Sequence, residues 1–147
     1  MASVMYNEAK RAIAAGEIDL NAHDIRVALL MTNTTADTEN DAINTVANFT
    51  TLDEFDGSGY TSGGVALANE AVNKDDANDR AEFDADDATF TTIGAGTRAI
   101  QGALVYKFVT ALSSSIPICF VDFPADVTAD GSTLVVQWNA EGILQLA

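Results

Sequence analysis

The chemistry open to this 147-residue chain starts from a short stock: one histidine, one cysteine and 22 carboxylates. His23 sits in the turn NAHD just ahead of an apolar stretch, with no second His and no Cys near it in sequence. A general base or metal ligand needs such company, so a turn residue that hydrogen-bonds locally is the ordinary reading. A nucleophile–His pair would have to use His23, and no GxSxG elbow accompanies it; the GSG of DGSGY lacks the strand-to-helix setting. Cys119 lies inside the apolar run Ile116 to Phe123, where a free thiol behaves as a small buried hydrophobe. Being alone, it excludes an intrachain disulfide.

The carboxylates are many but unselective. Paired acids hydrolyse glycosides, yet with 22 of them some pair falls at a suitable distance by chance. DADD at 84–87 has the look of a calcium loop, but the EF-hand needs Gly at the sixth position and Glu at the twelfth. Counting from Asp84, those positions hold Thr89 and Ala95. A looser Ca²⁺ site among Asp75, Asp76, Asp79, Asp84, Asp86 and Asp87 stays open beside the plainer reading, a solvated acidic rim. GAG at 94–96 is half a dinucleotide fingerprint with no helix pattern after it, and reads as a turn. The expectation is therefore a protein without catalytic residues, resident metal or cofactor, acting through a surface.

Charge narrows the kind of surface. Seven basic residues stand against 22 acidic ones, a formal net of −15. Residues 33–92 hold 14 acids but only Lys74 and Arg80, a local net of −12. Nucleic-acid binding rests on Lys and Arg neutralising phosphates, and no basic stripe exists. The acidity serves solubility, or it complements a basic partner surface. No apolar run approaches the ~18–20 residues that span a bilayer, and MASVMYNEAKRAIAAGE lacks the apolar core and cleavage pattern of a signal peptide. No nucleic-acid or membrane partner is expected, and synthesis in a cytoplasm suits the lone Cys. The length suits a single β-rich domain over residues 1–147, burying roughly 70% of the surface of the unfolded chain.

The elements that must build the surface are mostly strands. At the start, Met5, Ala9, Ala12 and Ile13 recur at helical spacing, predicting a short helix with Ser3 as N-cap and Gly16 at its C-terminal end. So short a helix must dock, either on its own sheet or on a neighbouring subunit. IRVALLM (25–31) is apolar on both faces and predicts a central strand covered on both sides. A brief second helix is expected around Asp41 to Asn48. DEFDGSGYTSGG is turn chemistry; VALANEAV predicts a strand, KDDAND a hairpin tip and RAEFDADDATF the return. From Arg98 to Leu146 the stretches RAIQGALVYK, IPICFVDF and GSTLVVQWNAEGILQL predict one continuous β-meander, with Trp138 half-buried at a strand end. The fold class is mainly β: an antiparallel β-sandwich or flattened barrel of about seven to nine strands, with a short N-terminal helix and one further small helix.

Taken in order, YNEAKRAIAAGEIDL, IRVALLMT, GYTSGG, FDADDATF, TRAIQGALVYK, IPICFVDF and WNAEGILQL resemble small virion proteins of tailed bacteriophages, of the capsid decoration (cement) type. The likeness covers nearly the whole chain apart from residues 33–53. GYTSGG, FDADDATF and WNAEGILQL are its most specific pieces, and none is a catalytic motif. What the resemblance implies is a β-rich protein that binds the outer capsid surface of the virion, partnered by the major capsid protein and by itself as a homotrimer. Residues 1–15 are the expected contact helix, with Met5, Tyr6, Ala9 and Ile13 touching a subunit or the shell. The rival expectation is a receptor- or glycan-binding β module at a fibre or tail. Such a module should cluster aromatics beside polar groups in a groove, whereas the 11 aromatics here are scattered along strands.

Overall fold

The computed structural model describes residues 4–147. Ten strands follow one another: β1 (Val4–Met5), β2 (Ile25–Met31), β3 (Val65–Ala66), β4 (Ala71–Asp75), β5 (Arg80–Asp84), β6 (Ala88–Phe90), β7 (Ile100–Lys107), β8 (Ile116–Val127), β9 (Leu134–Val136) and β10 (Leu144–Leu146). Among the described residues one α-helix, α1 (Asn7–Ala14), lies between β1 and β2. The fold is mainly β, its sheets antiparallel and not closed into a barrel. A five-stranded sheet runs β1-β8-β7-β2-β3; a three-stranded sheet runs β10-β5-β4; and β6 pairs with β9.

Alternation along the central strands explains why the large sheet needs cover on both sides. In β2, Ile25, Val27, Leu29 and Met31 join one apolar cluster, while Ala28 and Leu30 join a second. β7 does the same, sending Ala103 and Val105 one way and Leu104 and Tyr106 the other. The first cluster is completed by Phe83, Phe90, Val136 and Leu144 of the smaller sheets and by Ala9 and Ala12 of α1. The second is closed by the segment after β2, through Ala36, Ile43, Val46 and Phe49, together with Tyr6. The two-faced strand expected over 25–31 is present as β2, and its neighbours are β7 and β3.

Four expectations need correction. The predicted meander stops after β8, because β8 already has β1 on one side and β7 on the other. Lacking a free edge there, β9 pairs with β6 and β10 with β5. The predicted first helix begins later: Val4 and Met5 are extended, paired with Phe120 and Cys119, so edge pairing overrides the helical spacing that includes Met5. Its expected Ser3 cap lies outside the described residues, while Gly16 does take a positive φ of 73°. The second helix shrinks to a 3₁₀ turn, Val46–Asn48. There the Asn48 side chain accepts the N–H groups of Asn44 and Thr45, competing with helical hydrogen bonds. Finally, VALANEAV splits at Asn69 (φ 55°) into β3 and β4, which belong to different sheets.

Candidate interaction surface

Two of the three most specific sequence pieces meet in space. FDADDATF supplies the end of β5 and all of β6, and WNAEGILQL runs from just beyond β9 into β10. Trp138 joins them: its backbone N–H donates to Asp87 Oδ1 at 3.0 Å and its indole Nε1–H to the Asp86 carbonyl at 3.0 Å. The turn that follows is built by Asn139, whose Oδ1 accepts the Glu141 N–H and whose carbonyl accepts the Gly142 N–H. Gly142 holds φ 90°, and a Cβ there would stand 2.6 Å from the Phe83 carbonyl oxygen. Only glycine allows this approach, which lets Ile143 N–H donate to that same oxygen at 2.7 Å. β10 then continues along β5, with Leu144 opposite Phe83.

Arg80 locks the far side of this clasp. It is 15% exposed and contacts Asp75, Glu82 and Glu141, and it also donates to the Gln145 side-chain oxygen at 3.2 Å. The hairpin tip predicted over KDDAND is the β4–β5 turn, in which Asp75 accepts from Ala77 N–H and the Asn78 amide. Those bonds hold the Asp75 carboxyl below its ordinary range. Asp86 accepts the Asn69 amide at 2.7 Å. Asp75, Asp86 and Asp87 thus serve turn and clasp geometry, and among the described residues no three His, Cys, Asp or Glu side chains converge as a metal site.

Beside the clasp lies a cleft of about 500 Å³, facing the β1–β8 edge of the large sheet. Met5 and Val121 line it from that edge, and Gln137, Trp138, Leu144 and Gln145 line it from the clasp. Cys119 reaches its floor but is buried, and burial pushes the thiol up to about 12. Of the four residues expected to make contacts, Met5 belongs to this cleft. Tyr6 and Ala9 are fully buried within the chain itself, and Ile13 packs half-buried against the core. The helix therefore docks on its own β8. Tyr6 turns inward because its hydroxyl donates to the Ala36 carbonyl at 2.6 Å, tying the N-terminal segment to the loop after β2.

The GYTSGG turn packs elsewhere, on β2. Glu54 pairs with Leu30 there and gathers three donors: the Tyr60 hydroxyl at 2.9 Å, the Ser62 hydroxyl at 2.8 Å and the Gly63 N–H at 2.5 Å. Tyr60 in turn accepts the Leu29 N–H, and Tyr106 donates to the Gly63 carbonyl. Gly64 has φ 72°, and a Cβ would stand 1.8 Å from the Val27 carbonyl oxygen. His23 behaves as a turn residue, its Nδ1 accepting the Asp19 N–H at 2.9 Å.

Val121, Gln137, Leu144 and Gln145 were missed as cleft-lining residues by sequence reasoning. Trp138 was the sole signal toward them, since the cleft joins Met5 to residues more than 100 positions away and brings two separate sheets together. No protein-family model matches the chain, and comparison with curated proteins and with solved structures finds no match either.

Proposed function

We propose that the chain is a capsid decoration (cement) protein of a tailed bacteriophage. It binds the outer shell, assembles as a homotrimer and stabilises contacts between major capsid subunits. One observation carries the reading: FDADDATF and WNAEGILQL, the segments on which the resemblance to decoration proteins rests, form one clasp that borders a cleft. The residues specific to that pattern are thus spent on shaping a surface. Charge supports it too, because a net of −15 repels packaged nucleic acid while leaving the protein free to meet a basic patch on a shell. Many modest contacts on a lattice add up, since apolar burial contributes about 25 cal/mol per Å² and repetition raises avidity.

The test is co-sedimentation of purified protein with undecorated shells, read as copies bound per major capsid subunit. Saturation at a fixed ratio set by the lattice supports the reading, and no bound protein at any concentration refutes it. A second reading has its own observation: Trp138 stands beside the carboxamide of Gln137 in the same cleft, a pairing that also suits a sugar. Under that receptor- or glycan-binding reading, uptake on host cells replaces uptake on shells.

A further inference from the structure

We infer that the cleft between the clasp and the β1–β8 edge receives an extended, Lys- or Arg-bearing segment of a shell subunit. The inference rests on the decoration reading above and adds the place and the chemistry of contact. Its borders are the outer strands of two sheets, β1 of the five-stranded sheet and β10 of the three-stranded one. An extended chain is the shape that runs between two strand edges, with side chains dropping alternately to either wall. Those walls suit a peptide. Met5 and Trp138 offer apolar contact over the buried Val121 and Leu144, and the exposed carboxamide of Gln137 presents a donor and an acceptor that a peptide backbone matches.

The charge around the cleft selects the occupant. Asp86 and Asp87 hold Trp138, and Glu141 lies between Trp138 and Leu144. Arg80, which reaches Gln145 at the cleft, is already held by Asp75, Glu82 and Glu141. The local field therefore favours a cationic segment and disfavours an acidic one. Among the described residues Trp138 is the single aromatic of the lining, which favours a peptide over a sugar platform built from stacked rings.

Gln137 is exposed, so its variants keep the fold and probe the cleft. Gln137→Arg adds a repelling charge and Gln137→Trp fills the space; each is expected to weaken binding to undecorated shells about fivefold or more. Ser113→Arg, on an exposed turn outside the cleft, is expected to leave binding unchanged. Raising salt from about 0.1 to about 0.5 M is expected to weaken wild-type binding, because exposed charge pairs are screened. A photo-cross-linking residue at position 137 should yield an adduct with a Lys- or Arg-bearing stretch of the shell subunit. If wild type binds shells and both Gln137 variants bind equally well, the cleft is the wrong place while the decoration reading stands. If wild type does not bind shells at all, the decoration reading itself has failed. An adduct to a second copy of this chain, or glycan binding that Gln137→Arg abolishes, also overturns the inference.

Discussion

Trp138 and Asp87, 51 positions apart, are joined by a 3.0 Å hydrogen bond from the tryptophan N–H to the aspartate Oδ1, while the indole reaches the neighbouring Asp86 carbonyl. That double attachment turns two sheet fragments into one unit. Trp138→Phe keeps a ring but deletes the Nε1–H donor, and the expected cost is about 1 kcal/mol. Trp138→Ala also removes a half-buried ring and should cost about 2–3 kcal/mol. Urea unfolding followed by far-ultraviolet circular dichroism reads both. Equal stability of wild type and Trp138→Ala would show the clasp to be incidental.

Tyr6 is fully buried and donates to the Ala36 carbonyl at 2.6 Å. Tyr6→Phe leaves that carbonyl without its partner and preserves the ring that packs edge-on against Phe49. A loss of about 1–3 kcal/mol is expected, with proteolysis of the segment around Ala36 accelerated more than that of β7. Uniform acceleration along the chain would contradict the local tie.

How much of this was legible beforehand divides by sequence distance. β2 could be read from IRVALLM because a strand buried on both faces is apolar at every position, and its neighbours fill both clusters as expected. The β4–β5 hairpin was legible because turn residues lie beside the strands they join. The pairing of β9 and β10 was not, because their apolar alternation says which face is buried but not which strand lies alongside. β8 being flanked already by β1 and β7 decides that. Met5 was read as helical for a related reason, since local spacing carries no record of the Cys119 edge it pairs with. The cleft inherits the same limit: Met5 and Val121 meet Gln137 and Leu144 only after three sheets have assembled.

Asp53 contributes to the acid limb of stability. The Arg98 guanidinium beside it, helped by the Asn33 N–H, holds its carboxyl below the ordinary range against the opposing effect of burial. A depressed folded-state pKa means stabilisation present above the unfolded value and lost as pH falls through the folded one. Asp53 also has φ 53°, which Asn tolerates, so Asp53→Asn isolates the charge. The variant is expected to be less stable than wild type at pH 7, and the gap is expected to narrow as pH falls below the ordinary carboxylate range, by urea midpoints. A difference that stays constant across that fall would assign its effect to something other than the ion pair.

Cys119 sets the alkaline limb. Burial raises its thiol from its ordinary value to about 12, so over that range the unfolded chain releases a proton that the folded protein keeps. Stability is therefore fully present below pH 9 and falls as pH rises from there toward 12. Burial raises the Tyr6 and Tyr60 hydroxyls as well, and both act in the same direction. Cys119→Ala should soften the fall between pH 9 and 11, at the cost of a small cavity. The native thiol should also resist a disulfide reagent at pH 8 and react on unfolding. Rapid labelling of the folded protein would place the thiol at the surface.

The central claim, that this protein strengthens a shell by binding it, is tested most directly by the temperature at which shells release their contents. Undecorated shells saturated with the protein are expected to hold to a temperature several degrees higher than bare shells, with the gain tracking occupancy. Full occupancy with an unchanged release temperature would contradict the account.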